Sequence, residues 1–372
     1  MRSTRRRRGV VQGLNNAGSR LRVVERDLVD PGVLDLWRAL QSSGAVDSPF
    51  STWQWAQALA SVPEVSRTII VLCAYDAEQA RGVLALERWR GVDGLRVLGL
   101  AAGRWAGPDH IDVVARPAAR EAVAAAVVGH IAADPSWDVL DFEGLARDGA
   151  LASELRRRLP GPVIRLPDRD VPAPFLDLRP REPALLLPSR NLRQQVSRGL
   201  RIAERTGGGL AVATTALEVG KVLPVLMDQH EQRFGTRSQV FATPARRQFH
   251  LTAAKTLAVH GMARVYRLEV DGRQAALLYA LRLDDRLFYY SMGIQPDVGT
   301  SPGRTLLGQV ALAAAAEGLS EFDLLRGDHA FKLRFASGSR SDLHVRLLRP
   351  TPRALLALGT SWTTARLRAR QR

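Results

Sequence analysis

Residues 301 to 305 combine the features of a helix start with those of an anion site. Ser301 is a favourable N-cap, Pro302 suits the first helical position, and Gly303 leaves the first turn without a side chain. The pattern predicts a helix that ends at Gly318. Free amide groups and the positive end of the helix dipole favour an anion, to which Arg304 adds charge. The predicted phosphate-binding residues are Ser301, Gly303, Arg304 and Thr305.

A second block follows one predicted strand later, where Gly327-Asp328 precedes Phe331-Lys332. With the Ser-Pro-Gly helix start, the arginine-rich helix 189–205 and the segment 230–234, this order resembles the GNAT superfamily of acyltransferases. The likeness is greatest to its cellulose-biosynthesis-type acetyltransferase branch, which is related to the Fem aminoacyltransferases. It covers residues 180 to 345. The family usually has Tyr where this chain has Phe331, so no phenol at that position can donate a proton.

The resemblance implies an N-acyltransferase that uses acyl-CoA, such as acetyl-CoA, with the CoA pyrophosphate at the predicted anion site. It implies an amine acceptor, either a small molecule or a glycan precursor from a cell-envelope or polysaccharide pathway. Transfer would be direct, without a covalent enzyme intermediate. Nothing in composition or spacing identifies the acyl chain or the acceptor.

Amide formation requires a neutral amine, and an alkylamine has a pKa near about 10, so a base must remove its proton. Asp328 is the candidate base, because it follows the predicted strand 321–325. Tyr289 and Tyr290 alternate in a strand, so one should face the cleft and protonate the leaving thiolate; Tyr290 is the residue we select. Lys332 pairs with Asp328 or holds an acceptor anion.

His230 and Arg233 lie near the end of a predicted helix, one face of which points into the acceptor cleft or into the core. We place both residues, together with Lys332, in the substrate-binding set. The segment has no second histidine at metal-ligand spacing, and the chain has no pair of cysteines, so we expect no metal.

The chain has 372 residues, 46% of them hydrophobic, and a net charge of +16. Arginines crowd residues 1–8 and the segment after Asp342. Such termini are either solvated or held at an anionic membrane surface. The sequence has no apolar signal segment or membrane-length apolar run, so we expect a cytoplasmic protein, either free or peripheral at the inner face of the membrane. The single cysteine, Cys73, is predicted to be a buried apolar residue.

Two parts of the chain repeat one order of elements: three strands, a helix and a further strand. The fold class is α/β (α+β), with tandem GNAT-like domains, each a mixed, mostly antiparallel sheet flanked by helices. The predicted domains are listed in order: a disordered basic N-terminus, 1–20; a first GNAT-like domain, 21–159; a proline-rich linker, 160–188; a second GNAT-like domain with the donor site, 189–348; and a basic amphipathic tail, 349–372.

Two rival functions remain open at this stage. A Fem-like transferase that uses aminoacyl-tRNA would explain the basic helix 189–205, and its binding would weaken with salt. A non-catalytic binding protein of the same fold would explain Phe331, because the usual phenol is missing there. We expect no specific DNA binding.

Overall fold

The computed structural model describes residues 21–43, 46–91, 93–157, 161–180, 186–295, 298 and 301–355. The expectations for residues 1–20, and for the tail beyond residue 355, lie outside these ranges. Within them, no helix is both long and apolar enough to cross a membrane.

The helices and strands are numbered here in chain order. Those of the first half are β1 (Arg22–Asp27), α1 (Pro31–Gln41), α2 (Trp53–Ala60), α3 (Pro63–Ser66), β2 (Ile69–Asp76), β3 (Gln79–Arg90), β4 (Arg96–Leu100), β5 (Val114–Ala115), α4 (Arg120–Ala133), β6 (Val139–Ala146) and α5 (Ala150–Arg156). Those of the junction and second half are β7 (Ile164–Arg165), β8 (Arg169–Asp177), α6 (Arg190–Arg205), β9 (Gly209–Ala213), α7 (Ala216–Phe234), α8 (Pro244–Val259), β10 (Ala263–Val270), β11 (Arg273–Leu283), β12 (Arg286–Ile294), α9 (Pro302–Ala316), β13 (Glu321–Asp323), α10 (Ala330–Phe335) and β14 (Gly338–Leu348).

The predicted duplication is present in the sheet. In the first half β1 to β4 pair in antiparallel order, and β4 pairs in parallel with β6 after the helix α4. In the second half β9 to β12 repeat the antiparallel order, and β12 pairs in parallel with β13 after the helix α9. A parallel pair requires a crossover connection, and each half supplies it with one helix.

The two halves share one continuous sheet through an exchange of strands. β14, at the end of the second half, pairs with β6 of the first half. β8 pairs with β13 of the second half, and β8 and β14 pair with each other between them. The structure therefore corrects the prediction for residues 160–188, because this segment contains a central strand and is not only a linker. Pro172 and Pro174 favour a linker in sequence, since proline cannot donate to a ladder.

Helices cover both faces of the second half of the sheet. α6 and α9 pack on one face, where Leu306, Val310 and Tyr289 are part of one core cluster. α7 and α8 pack on the other face, in a larger core that also contains the first half. α6 begins at Ser189, whose side chain accepts a hydrogen bond from the Leu192 amide, and it buries its apolar stripe against α9. This arrangement places the start of α9 beside the basic helix α6.

Candidate active site

The parallel strands of the second half separate at their carboxyl ends. β12 and β13 pair over three positions, the last of which joins Phe288 to Asp323. β12 then continues to Ile294, paired only with β11. The Gln295 amide donates to Ala275 O at 3.0 Å, so alternate residues bond β11 and the backbone groups of Met292 and Ile294 face the gap. The result is a cleft with an exposed backbone edge.

The start of α9 lies at the open end of this cleft, but Ser301 does not cap it as predicted. Ser301 has left-handed backbone angles (φ 56°, ψ 55°), and its side chain makes no capping bond. Its carbonyl oxygen instead accepts from the amides of Arg304, at 2.9 Å, and Thr305, at 3.2 Å. The Gly303 amide remains as a first-turn donor, because proline at 302 has no N–H.

Gly303 serves packing and not only access to the backbone. A Cβ atom there would lie 2.4 Å from Ile294 Cδ1, so the bare first turn of α9 lets the helix approach β12 closely. Thr305 is buried, and its Oγ1 would lie 2.0 Å from a Cβ atom on Gly199 of α6. Gly303 therefore allows the close approach of α9 to β12, and Gly199 allows the close approach of α6 to α9.

A basic cavity of about 270 Å³ lies between α6 and the start of α9. Its lining residues are Gln195, Arg198, Gly199, Ser301, Arg304 and Thr305. Arg304 donates to the Gln195 side chain, and Arg198 is exposed. Three of the four predicted phosphate-binding residues thus line one cavity, and Gly303 adjoins it.

Lys332 lies where the two strands begin to separate. Its Nζ donates to Arg326 O at 2.7 Å and to Leu325 O at 3.3 Å, and lies 5.6 Å from the centre of the Tyr289 ring. The side chain is only 6% exposed. Burial lowers the pKa of this ammonium to about 8, against the opposing charges of Asp109 and Asp323. An ammonium has three donors, so one remains for a ligand in the cleft.

The loop that follows β13 is held by a residue of the first half. Asp109 Oδ1 forms an ion pair with Arg326 Nε at 2.8 Å, and Asp109 Oδ2 accepts a hydrogen bond from the Arg326 amide at 3.1 Å. Burial raises the pKa of Asp109 to about 6, although Arg326 opposes the rise. The same arginine supplies the carbonyl oxygen that holds Lys332.

His110, the next residue, lies between carboxylates of two central strands. Its Nε2 is 3.1 Å from Asp323 of β13, and its Nδ1 is 2.8 Å from Asp342 of β14. Burial alone would lower the pKa of His110, but these carboxylates raise it well above its usual value. Asp323 also accepts a hydrogen bond from the Leu325 amide at 2.7 Å, so its carboxylate holds the backbone after β13 as well as His110.

The two adjacent tyrosines face opposite sides of the sheet. Tyr289 lies with Lys332 on the side of α9, and burial raises its pKa, with Arg233 opposing the rise. The Tyr290 hydroxyl donates to Ala106 O at 2.9 Å, on the side of α8. Burial also raises the pKa of Tyr290 well above its usual range. This orientation argues against Tyr290 as the proton donor.

His230 reaches the cleft from α7. Its Nδ1 is 3.2 Å from Met292 O, and its Nε2 is 2.8 Å from Ser238 Oγ. Burial lowers the pKa of His230, which therefore is neutral near pH 7. Arg233 is exposed one turn later. Both residues thus flank the backbone edge of β12.

Asp328 is exposed, and makes no ion pair or hydrogen bond with another described residue. The predicted alternative of an Asp328–Lys332 pair does not form, because Lys332 donates to backbone carbonyl oxygens. Its role as a base remains a prediction.

Asp109, His110 and Arg326 are not among the residues predicted from the sequence for this site. Asp109 and His110 come from a loop more than 200 residues away from Lys332 in sequence, and no local pattern connects them. Lys332 was among the predicted residues, and the composition of the chain is a further signal for it. The chain has 53 lysines and arginines, and only Lys221, Lys255 and Lys332 are lysines.

Comparison with known proteins agrees with this arrangement. The family model for an acetyltransferase (GNAT) domain matches residues 190–333. FemX is similar in structure, with a TM-score of 0.58 and 9% identity over 84% of this chain and 95% of its own. L-PGS from Bacillus licheniformis has a TM-score of 0.52 and 14% identity over 89% of this chain and 96% of its own. No curated protein matches the sequence.

Identities this low establish the fold alone, and they do not support the cellulose-biosynthesis-type branch in particular. The fold and the matched segment agree with the duplication seen in the sheet. The chain therefore has a tandem GNAT-like fold, and its residues 190–333 match a GNAT acetyltransferase domain.

Proposed function

We propose that the second half is an N-acyltransferase that moves an acyl group from acyl-CoA to an amine. The observation that carries the proposal is the cleft between β12 and β13, with the Lys332 ammonium at one end and the basic cavity at the start of α9 at the other. A thioester and its pyrophosphate are joined by an extended chain. Such a chain fits a cleft that has an exposed strand edge on one side.

The donor would lie along β12, where the Met292 amide and the backbone groups of Ile294 face the gap and could bond amides of its linker, while the Met292 carbonyl oxygen already bonds His230. Its pyrophosphate would contact the Gly303 amide and the side chains of Arg304 and Arg198. Because the Arg304 and Thr305 amides already bond Ser301, side-chain charge contributes more here than the helix amides do.

The reaction is a direct displacement at the thioester. The neutral amine forms a C–N bond to the carbonyl carbon, the C–S bond breaks, and the thiolate of CoA leaves and takes a proton from water. The third N–H of Lys332 donates to the carbonyl oxygen while negative charge develops there. Asp328, which is exposed beside Lys332 in sequence, accepts the proton that the amine loses.

The acceptor class follows from the sequence resemblance and not from the cleft. We propose a cell-envelope or polysaccharide precursor with a primary amine. The enzyme would act in the cytoplasm, with its basic termini available to the anionic inner face of the membrane.

Calorimetric titration with acetyl-CoA, longer acyl-CoAs and free CoA tests the donor. We expect saturable one-to-one binding, weakened about tenfold or more in Arg304→Ala, which corresponds to about 1.4 kcal/mol. Arg90→Ala is the matched control, since Arg90 is an exposed arginine of the first half. Folded protein that binds none of these compounds would eliminate acyl-CoA as the donor.

One observation favours a second candidate, an aminoacyl-tRNA donor. Arg198, Arg201 and Arg205 line an open groove on α6, and none pairs with a carboxylate in the described part of the chain. For tRNA, the logarithm of affinity should fall linearly with the logarithm of salt concentration, and each phosphate contact adds about 0.9 to the slope. Binding of tRNA with such a slope, lost in Arg201→Ala, would favour this donor.

A further inference from the structure

In the described residues of the first half, the parallel strands β4 and β6 do not enclose an open cleft. The position that corresponds to the donor cleft lies between β4 and β6, and the chain after β4 fills it. The Ile111 amide donates to Gly144 O at 2.8 Å, and Ile111 O accepts from the Ala146 amide at 3.0 Å. The edge of β6 that faces this position is therefore already bonded, and β4 ends at Leu100 instead of continuing past its partner as β12 does.

Gly144 shows how closely this segment fits. It has a φ of 92°, and a Cβ atom there would lie 2.1 Å from Pro108 O. The loop that corresponds to the helix start of the second half has thus become part of the sheet.

The residues that precede Ile111 reach across to the second half. Asp109 is 3% exposed and holds both the side chain and the amide of Arg326. The Arg326 carbonyl oxygen accepts from Lys332 Nζ at 2.7 Å, the shorter of that ammonium's two bonds. Two contacts from Asp109 to Arg326 and one from Arg326 to Lys332 therefore connect the filled position of the first half to the open cleft of the second.

We propose that the first half is a scaffold without its own donor site, and that Asp109 is a positioning residue that sets the place and charge of Lys332 through Arg326. This inference rests on the proposed function for its catalytic meaning. The dependence of Lys332 on a carboxylate of the other half can be measured whether or not the protein has this activity.

The groups that face Lys332 determine what a change at Asp109 should do. Asp109 and Asp323 stabilise its charge, Arg326 opposes it, and the Tyr289 ring lies over it. Asp109→Asn removes one stabilising charge and leaves the Arg326 guanidinium without that partner. Both effects disfavour the ammonium, so its pKa should fall below the present value of about 8.

The test uses the full chain with lysine labelled by 13C and 15N. Lys221, Lys255 and Lys332 are the only lysines, so an NMR titration follows three side chains, which Lys→Arg variants assign. We expect Asp109→Asn to shift the Lys332 titration to lower pH, by at least half a pH unit, and to leave Lys221 and Lys255 unchanged. Asp109→Glu retains the negative charge, so the Lys332 titration of this variant should stay close to that of the wild type.

Asp141→Asn is the matched control, because Asp141 lies in the same half as Asp109 but pairs with His344 of β14 and does not touch Arg326. If Asp109→Asn does not fold, Arg326→Met replaces it and removes the guanidinium from the same contact. Loss of that opposing charge should then raise the Lys332 titration. An unchanged Lys332 titration in folded variants would overturn the proposal.

Enzyme assays separate this result from the proposed function. If acyl transfer is observed, Asp109→Asn should lower kcat and leave the KM for the donor nearly constant. If no acyl transfer is found but the titration shifts, the proposed function fails and the positioning of Lys332 stands. If acyl transfer is observed but the Lys332 titration does not shift, the proposed function stands and the positioning role of Asp109 fails.

Discussion

At the scale of residues, the site depends on the difference between lysine and arginine. A chain that uses arginine for nearly every other cation has Lys332 at a buried position beside the cleft. A guanidinium does not lose its proton, whereas burial brings the pKa of this ammonium to about 8. Lys332 is therefore the cation of the cleft whose charge can change near neutral pH.

The charge of Lys332 gives the reaction an expected pH dependence. If the ammonium stabilises the developing negative charge, its contribution is complete well below pH 8 and is lost as pH rises through its pKa of about 8. Lys332→Arg should lower kcat about 10²-fold at pH 7, because the geometry of the donor changes. Its activity should not show the loss above pH 8, because arginine stays charged.

The measurement is the ratio of kcat for Lys332→Arg to kcat for the wild type between pH 6 and pH 10. Ionisation of the acceptor amine affects both enzymes equally, so it cancels in this ratio. The ratio should rise above about pH 8. Lys255→Arg, at an exposed position of α8, is the control. A ratio that falls above pH 8 would show that Lys332 acts as a base.

At the scale of elements, α9 and β12 depend on their close approach. The Gly303→Ala substitution places a Cβ atom 2.4 Å from Ile294 Cδ1, so either the Ile294 side chain must leave its present rotamer or the helix must shift away from the strand. We expect a loss of about 1–3 kcal/mol in the free energy of unfolding. Urea denaturation measures it, and calorimetry with acyl-CoA then reports any change at the cleft.

The corresponding helix of the first half provides the control for this prediction. A Cβ atom on Gly129, in α4, meets nothing within 4 Å. Gly129→Ala should therefore stabilise the protein, by about 0.5–1 kcal/mol, through helix propensity. If both substitutions had the same effect, the close approach of α9 to β12 would not be a determinant of stability.

The sequence predicted elements well where their patterns are local. The helix that follows Ser301 and the repeated order of three strands, a helix and a further strand follow from periodicity and turn residues. β8 was missed because its prolines indicate a linker, although their carbonyl oxygens accept from Leu324 and Gly327. The contacts of Asp109 and the direction of Tyr290 could not be predicted, since both depend on how distant segments pack.

At the scale of the whole molecule, the strand exchange connects the stability of the two halves. The first half lacks β14, which completes its sheet beside β6, and the second half lacks β8, which covers β13. An isolated half would expose both the backbone edge and the apolar face of a central strand. Neither half should fold alone.

Two fragments, 1–180 and 181–372, test this prediction. Each fragment alone should show little cooperative unfolding by circular dichroism, and the mixture should form a one-to-one complex in size-exclusion chromatography. Each fragment carries the strand that the other one needs, so the complex should recover native secondary structure. Independent folding of either fragment, with a sharp thermal transition, would contradict this prediction.

The closed cleft of the first half has a consequence for the history of the chain. After a gene duplication, a copy that loses its ligand is usually free to be deleted. Here the first half provides β6 and Asp109 to the second half. Deletion of the first half would therefore remove a neighbour of β14 and a partner of Arg326. Selection on the open cleft therefore preserves a half that no longer needs to bind anything itself.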